Sequence, residues 1–273
     1  MRNTIKYYYN LDIDNIKYEK GIYIFDNYIF KEINNPINFE LYNFYIGNNI
    51  YLHELIYNIN NNYVTRYENK DYILLKVKKK EKISINNIFN FFIDVPIQDI
   101  KNWGILWEKK IDYYEKNIIN TKNKKILDVF PYYIGLGENA ISIYKSNNLD
   151  TTFSICHNRL NNDYEFYSPD NIIIDYKVRD IAEYIKNNFF SDTLDIDILI
   201  RYLNNNTFAA DDYIVMYARL LFPTYFFDCI ENNGNIDNYV SKINQYERFL
   251  NKMYIVLNIH RNIPRIDWLI KKV

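Results

Sequence analysis

The spacing of hydrophobic and polar positions changes near residue 80. Over the first 77 residues, short apolar runs alternate with polar turns, which is the pattern of strands. Residues 21–32 read as two short strands around a turn at Asp26 and Asn27, residue types that tolerate the left-handed backbone a hairpin needs. Residues 36–47 read as one helix, with proline near its start and glycine just past its end. Residues 53–58, 63–67 and 72–77 then form a small meander, separated by the polar stretches 60–62 and 68–71. After Lys82 the period becomes helical. Residues 84–93 give one helix with Ser84 as N-cap. Residues 100–119 give a stronger one, because Trp103, Leu106, Trp107, Ile111 and Tyr114 recur at threes and fours with charges between them. Residues 131–144 form a third. Short strands around Ser154 and Ile173 follow, and helices over 178–188, 194–203, 211–221 and 236–257 complete the chain. Strands before helices, with one small β insertion, predict a two-lobed α+β protein with its boundary at 77–82. No internal repeat is visible.

Composition narrows the classes. The chain has 273 residues, 48% hydrophobic and 25% charged, enough for one or two domains with a sizeable core. Its 29 Tyr and 17 Phe are unusual, and Asn and Ile are also abundant. Tyr, Ile and Asn have AT-rich codons, so the aromatic excess fits a low-GC genome. A net charge of −1 provides no basic field to hold nucleic acid. The basic run from Lys76 to Lys82 is either a solvated hinge or a local phosphate contact. Two distant cysteines, Cys156 and Cys229, fit buried thiols in a reducing compartment better than a disulfide framework. The N-terminus lacks the apolar run of a signal peptide. The longest apolar region, 213–230, is interrupted by Arg219, Pro223 and Asp228 and reads as a buried helix pair rather than a membrane span.

Candidate chemistry concentrates between residues 151 and 186. An apolar strand delivers His157, and a second, Ile172-Ile173-Ile174, delivers Asp175. Phosphoryl transfer needs a residue that positions or deprotonates the acceptor and carboxylates that hold Mg²⁺. Asp175 suits a metal ligand, or it is an exposed strand-end residue in a turn. His157 reads as a hydrogen-bonded structural histidine or a catalyst. Neither Asn158 nor Arg159 can serve as a general base at neutral pH, because the amide has no basic group and the guanidinium stays protonated. Arg159 can attract an anion or pair with Asp163 or Glu165. Asp180 opens a helix, where a carboxylate complements the dipole. Lys31 ends a hairpin strand, where a kinase would hold phosphates with a lysine paired to a helix glutamate, and Glu40 is the candidate partner. Gly21 is the only glycine in the first 46 residues, so no glycine-rich loop covers Lys31. Trp103, Trp107, Tyr113 and Tyr114 read as a core stripe. His53, His157 and His260 are scattered and no Cys-x-x-Cys pair exists, so no metal cluster is expected.

Five segments in order carry a resemblance: Trp103–Asp112, Tyr133–Ile141, Ile155–Leu160, the stretch from Asp175 through Arg179 to Glu183, and Tyr217–Pro223. On these the chain resembles the spore-coat kinase-like family of the CotS/YutH type, a degenerate branch of the aminoglycoside phosphotransferase superfamily. The resemblance implies a bilobal protein-kinase-like fold, with a small β-rich N-terminal lobe over 1–78 and a larger helical C-terminal lobe over 79–273. It implies a role in endospore coat assembly, with other coat proteins as partners, synthesis in the mother-cell cytoplasm and deposition on the coat. Active relatives carry His-Gly-Asp, whose aspartate would stand at position 159, here Arg159. Their downstream metal-binding Asn has no clear match in 161–164, and Asp175 alone remains as a metal ligand. The implied protein is a pseudokinase needing neither ATP nor Mg²⁺. The alternative is an active small-molecule phosphotransferase that uses both, with Asp163 or Asp170 as a rearranged base.

Overall fold

The computed structural model describes residues 1–19, 21–33, 36–47, 52–79, 82–96, 102–118, 121–145, 150–160, 163–205 and 208–270. Lys80 and Glu81 of the basic run, Asn161 and Asn162, and the expected helix ends Ile100 and Ile119 lie outside them. The chain divides into two compact units. The first comprises Met1–Ile83 with His157–Ile173, the second Ser84–Cys156 with Ile174–Val273. The sequence boundary at 78/79 thus meets a division after Ile83, and a later segment returns to the first unit.

In the first unit, a helix α1 (Arg2–Tyr9) precedes strands β1 (Lys17–Glu19), β2 (Ile22–Phe25) and β3 (Tyr28–Ile33). Then come α2 (Phe39–Gly47), β4 (Glu54–Ile56), β5 (Val64–Tyr67) and β6 (Lys70–Lys76). The β2–β3 hairpin turns where the spacing put it, with Asp26 at φ 45°. α2 begins later than Pro36, because the Asn38 side chain accepts the Leu41 amide at 3.1 Å and caps the helix there. The sheet order is β1-β2-β3-β6-β4, with β5 also on β6, and every pairing is antiparallel. The expected meander is therefore corrected: β4 and β5 pair with successive stretches of β6 rather than with each other. Asn58 fixes that arrangement. Its Oδ1 accepts the amides of Asn60 and Asn62, while Nδ2 donates to the Val64 carbonyl and to Thr65 Oγ1. Phe30 and Leu74, opposite each other across β3 and β6, join Ile5, Tyr9, Phe25 and Tyr72 in a buried cluster. Because side chains alternate along a strand, Lys31 points to the other face.

In the second unit, α3 (Ile85–Phe91) has the N-cap expected at Ser84, to which Asn87 adds a capping box. It is followed by β7 (Asp94–Val95), α4 (Trp103–Asn117) and α5 (Lys124–Lys145). β8 (Phe153–His157) and β9 (Ile172–Tyr176) form a three-stranded sheet of order β7-β8-β9. The rest is helical: α6 (Arg179–Phe190), α7 (Ile196–Asn205), α8 (Ala210–Leu221), α9 (Thr224–Glu231), α10 (Asp237–Ser241) and α11 (Ile243–Asn258). Every residue of α8 from Asp211 to Leu221 is buried, and α5, α6 and α11 pack against it. The apolar stretch 213–230 is a helix pair, α8 and α9, broken at Pro223, of which α8 is buried from Asp211 on and α9 buries only Phe226 and Phe227. α5 starts seven residues before Pro131, the residue that marked its expected start. Pro131 costs the Leu127 carbonyl its helical partner, and Leu127 is on the exposed side where water can reach it. No described helix is long and apolar enough to cross a membrane.

Candidate functional site

Lys31 is 7% exposed, and its Nζ lies 2.9 Å from Asp170 Oδ2 and 3.2 Å from Glu165 Oε1. Its carboxylate partners are thus in the 157–173 segment. Glu40, the partner suggested by the sequence, stands exposed on α2. Burial pulls the Lys31 ammonium down, but Asp170 and Glu165 outweigh it and hold the group charged above the ordinary lysine value. Ser168 Oγ donates to the second oxygen of Asp170 at 2.5 Å, so the carboxylate is held from both sides.

The segment that supplies these acids is tied to itself. His157 is fully buried, donates from Nε2 to the Phe166 carbonyl at 2.7 Å and stacks on the Phe166 ring at 4.4 Å. That is the structural role of a histidine wedged into a loop. Asn171 does most of the tying: its side chain accepts the Arg159 amide at 3.0 Å and donates to the carbonyls of Arg159 and Glu165 at 2.7 and 3.0 Å. Arg159 is half-buried, with Nη1 3.4 Å from the Asn158 carbonyl. Asp163 accepts the Ile83 amide at 3.0 Å. Both aspartates weighed as replacement bases, Asp163 and Asp170, therefore already have partners.

In the second unit, Asp175 is 2% exposed, which removes the reading as an exposed strand-end residue. Arg179 Nη1 donates to its Oδ2 at 2.6 Å. Its Oδ1 receives Arg219 Nη2 at 2.9 Å, Trp103 Nε1 at 2.9 Å and its neighbour's amide at 2.7 Å. The two guanidinium carbons lie 4.8 and 4.7 Å from the centre of the Trp103 ring. Burial disfavours the Arg179 charge, yet Asp175, Glu183 and Asp180 together hold it in the charged form. A carboxylate placed for a metal keeps lone pairs open toward the ion. Here both oxygens serve cations and an indole of the protein itself. Among the described residues, no group of three or more His, Cys, Asp and Glu is placed to hold a metal ion.

Sequence reasoning missed Arg219, Trp103, Glu165, Asp170 as the Lys31 partner, and Asn171. Two signals were present. Arg219 is a charge inside an otherwise apolar helix, where it must find a counter-charge. Trp103 stands at the head of a stripe of which Trp107, Ile111 and Tyr114 are core, and it turns its N–H to Asp175 instead, while Leu106 and Tyr113, also read into the stripe, are exposed.

Comparison with known proteins bears on fold and family. An aminoglycoside phosphotransferase from Alicyclobacillus acidocaldarius superposes with a TM-score of 0.63 at 10% identity, covering 95% of this chain and 96% of that one. The α+β fold, an antiparallel sheet followed by helices, is therefore the kinase-like fold of those enzymes. The endospore coat-associated protein YutH of Bacillus subtilis strain 168 is 28% identical over 62% of each chain, so this chain spans less than two thirds of that relative's length. The family described as spore coat putative kinase YutH matches residues 44–257, more than half of the chain, and the chain belongs to that family.

Proposed function

We propose that this protein is a catalytically degenerate kinase-like component of the spore coat, acting in coat assembly through binding to other coat proteins after synthesis in the mother cell. The observation that carries the reading is the state of Asp175, whose two oxygens are spent on Arg179, Arg219 and Trp103. Phosphoryl transfer is largely positioning plus electrostatic stabilisation, so the parts that position and stabilise are the ones that matter. The position of the family's catalytic aspartate is a guanidinium at Arg159, which cannot accept a proton. The lysine suited to phosphates, Lys31, is neutralised by Glu165 and Asp170. No glycine-rich loop precedes it. These commitments favour a protein that needs neither ATP nor Mg²⁺.

The test uses the intact protein, because Asp175 is also the counter-charge of two buried guanidiniums and a variant there perturbs folding before chemistry. A ligand that binds only the folded state raises the melting temperature. Millimolar ATP with Mg²⁺ is expected to leave the Tm unchanged, and no γ-phosphate transfer to aminoglycosides or choline is expected. A clear nucleotide-dependent rise, or turnover, would replace this reading with an active small-molecule phosphotransferase.

A further inference from the structure

Lys31 of β3 receives both of its carboxylates from one short loop. Asp170 Oδ2 stands 2.9 Å and Glu165 Oε1 3.2 Å from Nζ, and all three side chains are largely buried. The Asp170 carboxylate is held independently of the lysine by Ser168 Oγ on its Oδ1, and the Glu165 backbone is anchored by Asn171 Nδ2 on its carbonyl. The loop is further closed by Asn158 N–H on the Asn171 carbonyl at 2.7 Å and by His157 on the Phe166 carbonyl. A lysine thus meets two anionic oxygens from separate groups, the contact that a phosphate chain would offer it. Two carboxylates against one ammonium also leave a net negative charge, which repels an incoming anion.

We propose that the 163–171 loop is a built-in plug, whose Glu165 and Asp170 carboxylates occupy Lys31 in place of a phosphate-type anion, and that discharging them converts the Lys31 pocket into an anion site. This rests on the proposed reading of Lys31 as the remnant of a phosphate lysine. A buried ammonium requires a counter-charge, so when its internal partners become neutral amides of the same shape, an external anion gains the difference. The raised lysine pKa agrees with an ammonium held strongly charged inside the plug.

The experiment compares thermal unfolding of the full chain in inorganic pyrophosphate and in sodium chloride of equal ionic strength. Three proteins are compared: wild type, Glu165→Gln/Asp170→Asn, and the same double variant with Lys31→Met. The wild type is expected to show no pyrophosphate-specific shift. The double variant is expected to melt lower than wild type in chloride, and to regain several degrees in pyrophosphate. The Lys31→Met version is expected to lose that gain. A folded double variant that ignores pyrophosphate overturns the plug, as does a gain that survives Lys31→Met. Should the double variant fail to fold in chloride, pyrophosphate is expected to restore a cooperative melt by supplying the counter-charge that Glu165 and Asp170 gave, and continued failure to fold there overturns the plug equally. The two proposals fail separately. A wild-type rise with ATP and Mg²⁺ sinks the degenerate-kinase reading, whereas silent wild type with silent, folded variants sinks only the plug.

Discussion

His53 is fully buried in the first unit with a fixed tautomer: Nε2 donates to the Tyr164 carbonyl at 2.9 Å and Nδ1 faces the Lys78 amide at 3.4 Å. Burial, with a smaller push from the Lys31 charge, lowers its pKa from 6.5 to about 4, against the opposing effects of the Tyr164 bond and Asp170. The unfolded chain protonates this ring near pH 6.5 while the folded chain resists until about 4, so the neutral ring's contribution is complete above pH 6.5 and is lost as the pH falls through that interval. The loss amounts to roughly 3 kcal/mol by pH 4. Urea midpoints of wild type should fall between pH 6.5 and 5 more steeply than those of His53→Gln, and parallel curves would exclude His53 as the titrating group. At this scale the sequence was half legible. Lys31, His157 and Asp175 announced themselves by type and by position on short apolar strands, although β3 runs on past Lys31 to Ile33. Their partners did not, since Trp103 lies 72 residues before Asp175, Arg219 lies 44 after it, and Glu165 lies 134 after Lys31. Pairings over such separations are decided by how elements pack and leave no local pattern.

Elements are easier to read because their signals are local. The Ser84 cap, the Asp26 turn and the Trp107, Ile111 and Tyr114 positions of the α4 stripe sit where the spacing puts them. α1 was missed because its buried face is only Thr4, Ile5 and Tyr9 among polar neighbours, with no side-chain cap to mark its start. α5 was shortened because Pro131 looked like a first-turn proline and is an interior one. Gly137 in α5 gives a test of how α4 and α5 meet. A Cβ added there would stand 2.6 Å from Ile111 Cδ1 and 3.6 Å from Pro223 Cδ. Alanine gains about 1 kcal/mol of helix propensity over glycine. The overlap costs about 1–3 kcal/mol where the core cannot move. Gly137→Ala alone should therefore be neutral to destabilising. In an Ile111→Val background, which removes the colliding methyl, the same change should stabilise by up to about 1 kcal/mol. A double-mutant cycle with no coupling would show that the two helices separate without resistance at this point.

The coat role proposed above belongs to the whole molecule rather than to any one residue. A fluorescent fusion of the full chain is expected to ring the developing spore in a sporulating host, and Lys31→Met/Glu165→Gln/Asp170→Asn, which removes the charges together, should leave that ring in place because the role assigned is binding, not phosphate transfer. Diffuse fluorescence through the mother cell at every stage would remove the coat assignment. One architectural fact has a temporal consequence. The first unit is assembled from Met1–Ile83 and His157–Ile173, with a long stretch of the second unit threaded between them. Translation therefore releases the β1–β6 sheet while the acids that neutralise Lys31, the Asn171 ties and the Tyr167 carbonyl that takes the His53 amide are still unmade. At ~5–20 residues per second the nascent sheet waits on the order of ten seconds for its last pieces. During that wait the Lys31 ammonium stays hydrated, so the cost of desolvating it arises only when residues 157–173 arrive, together with the carboxylates that offset it.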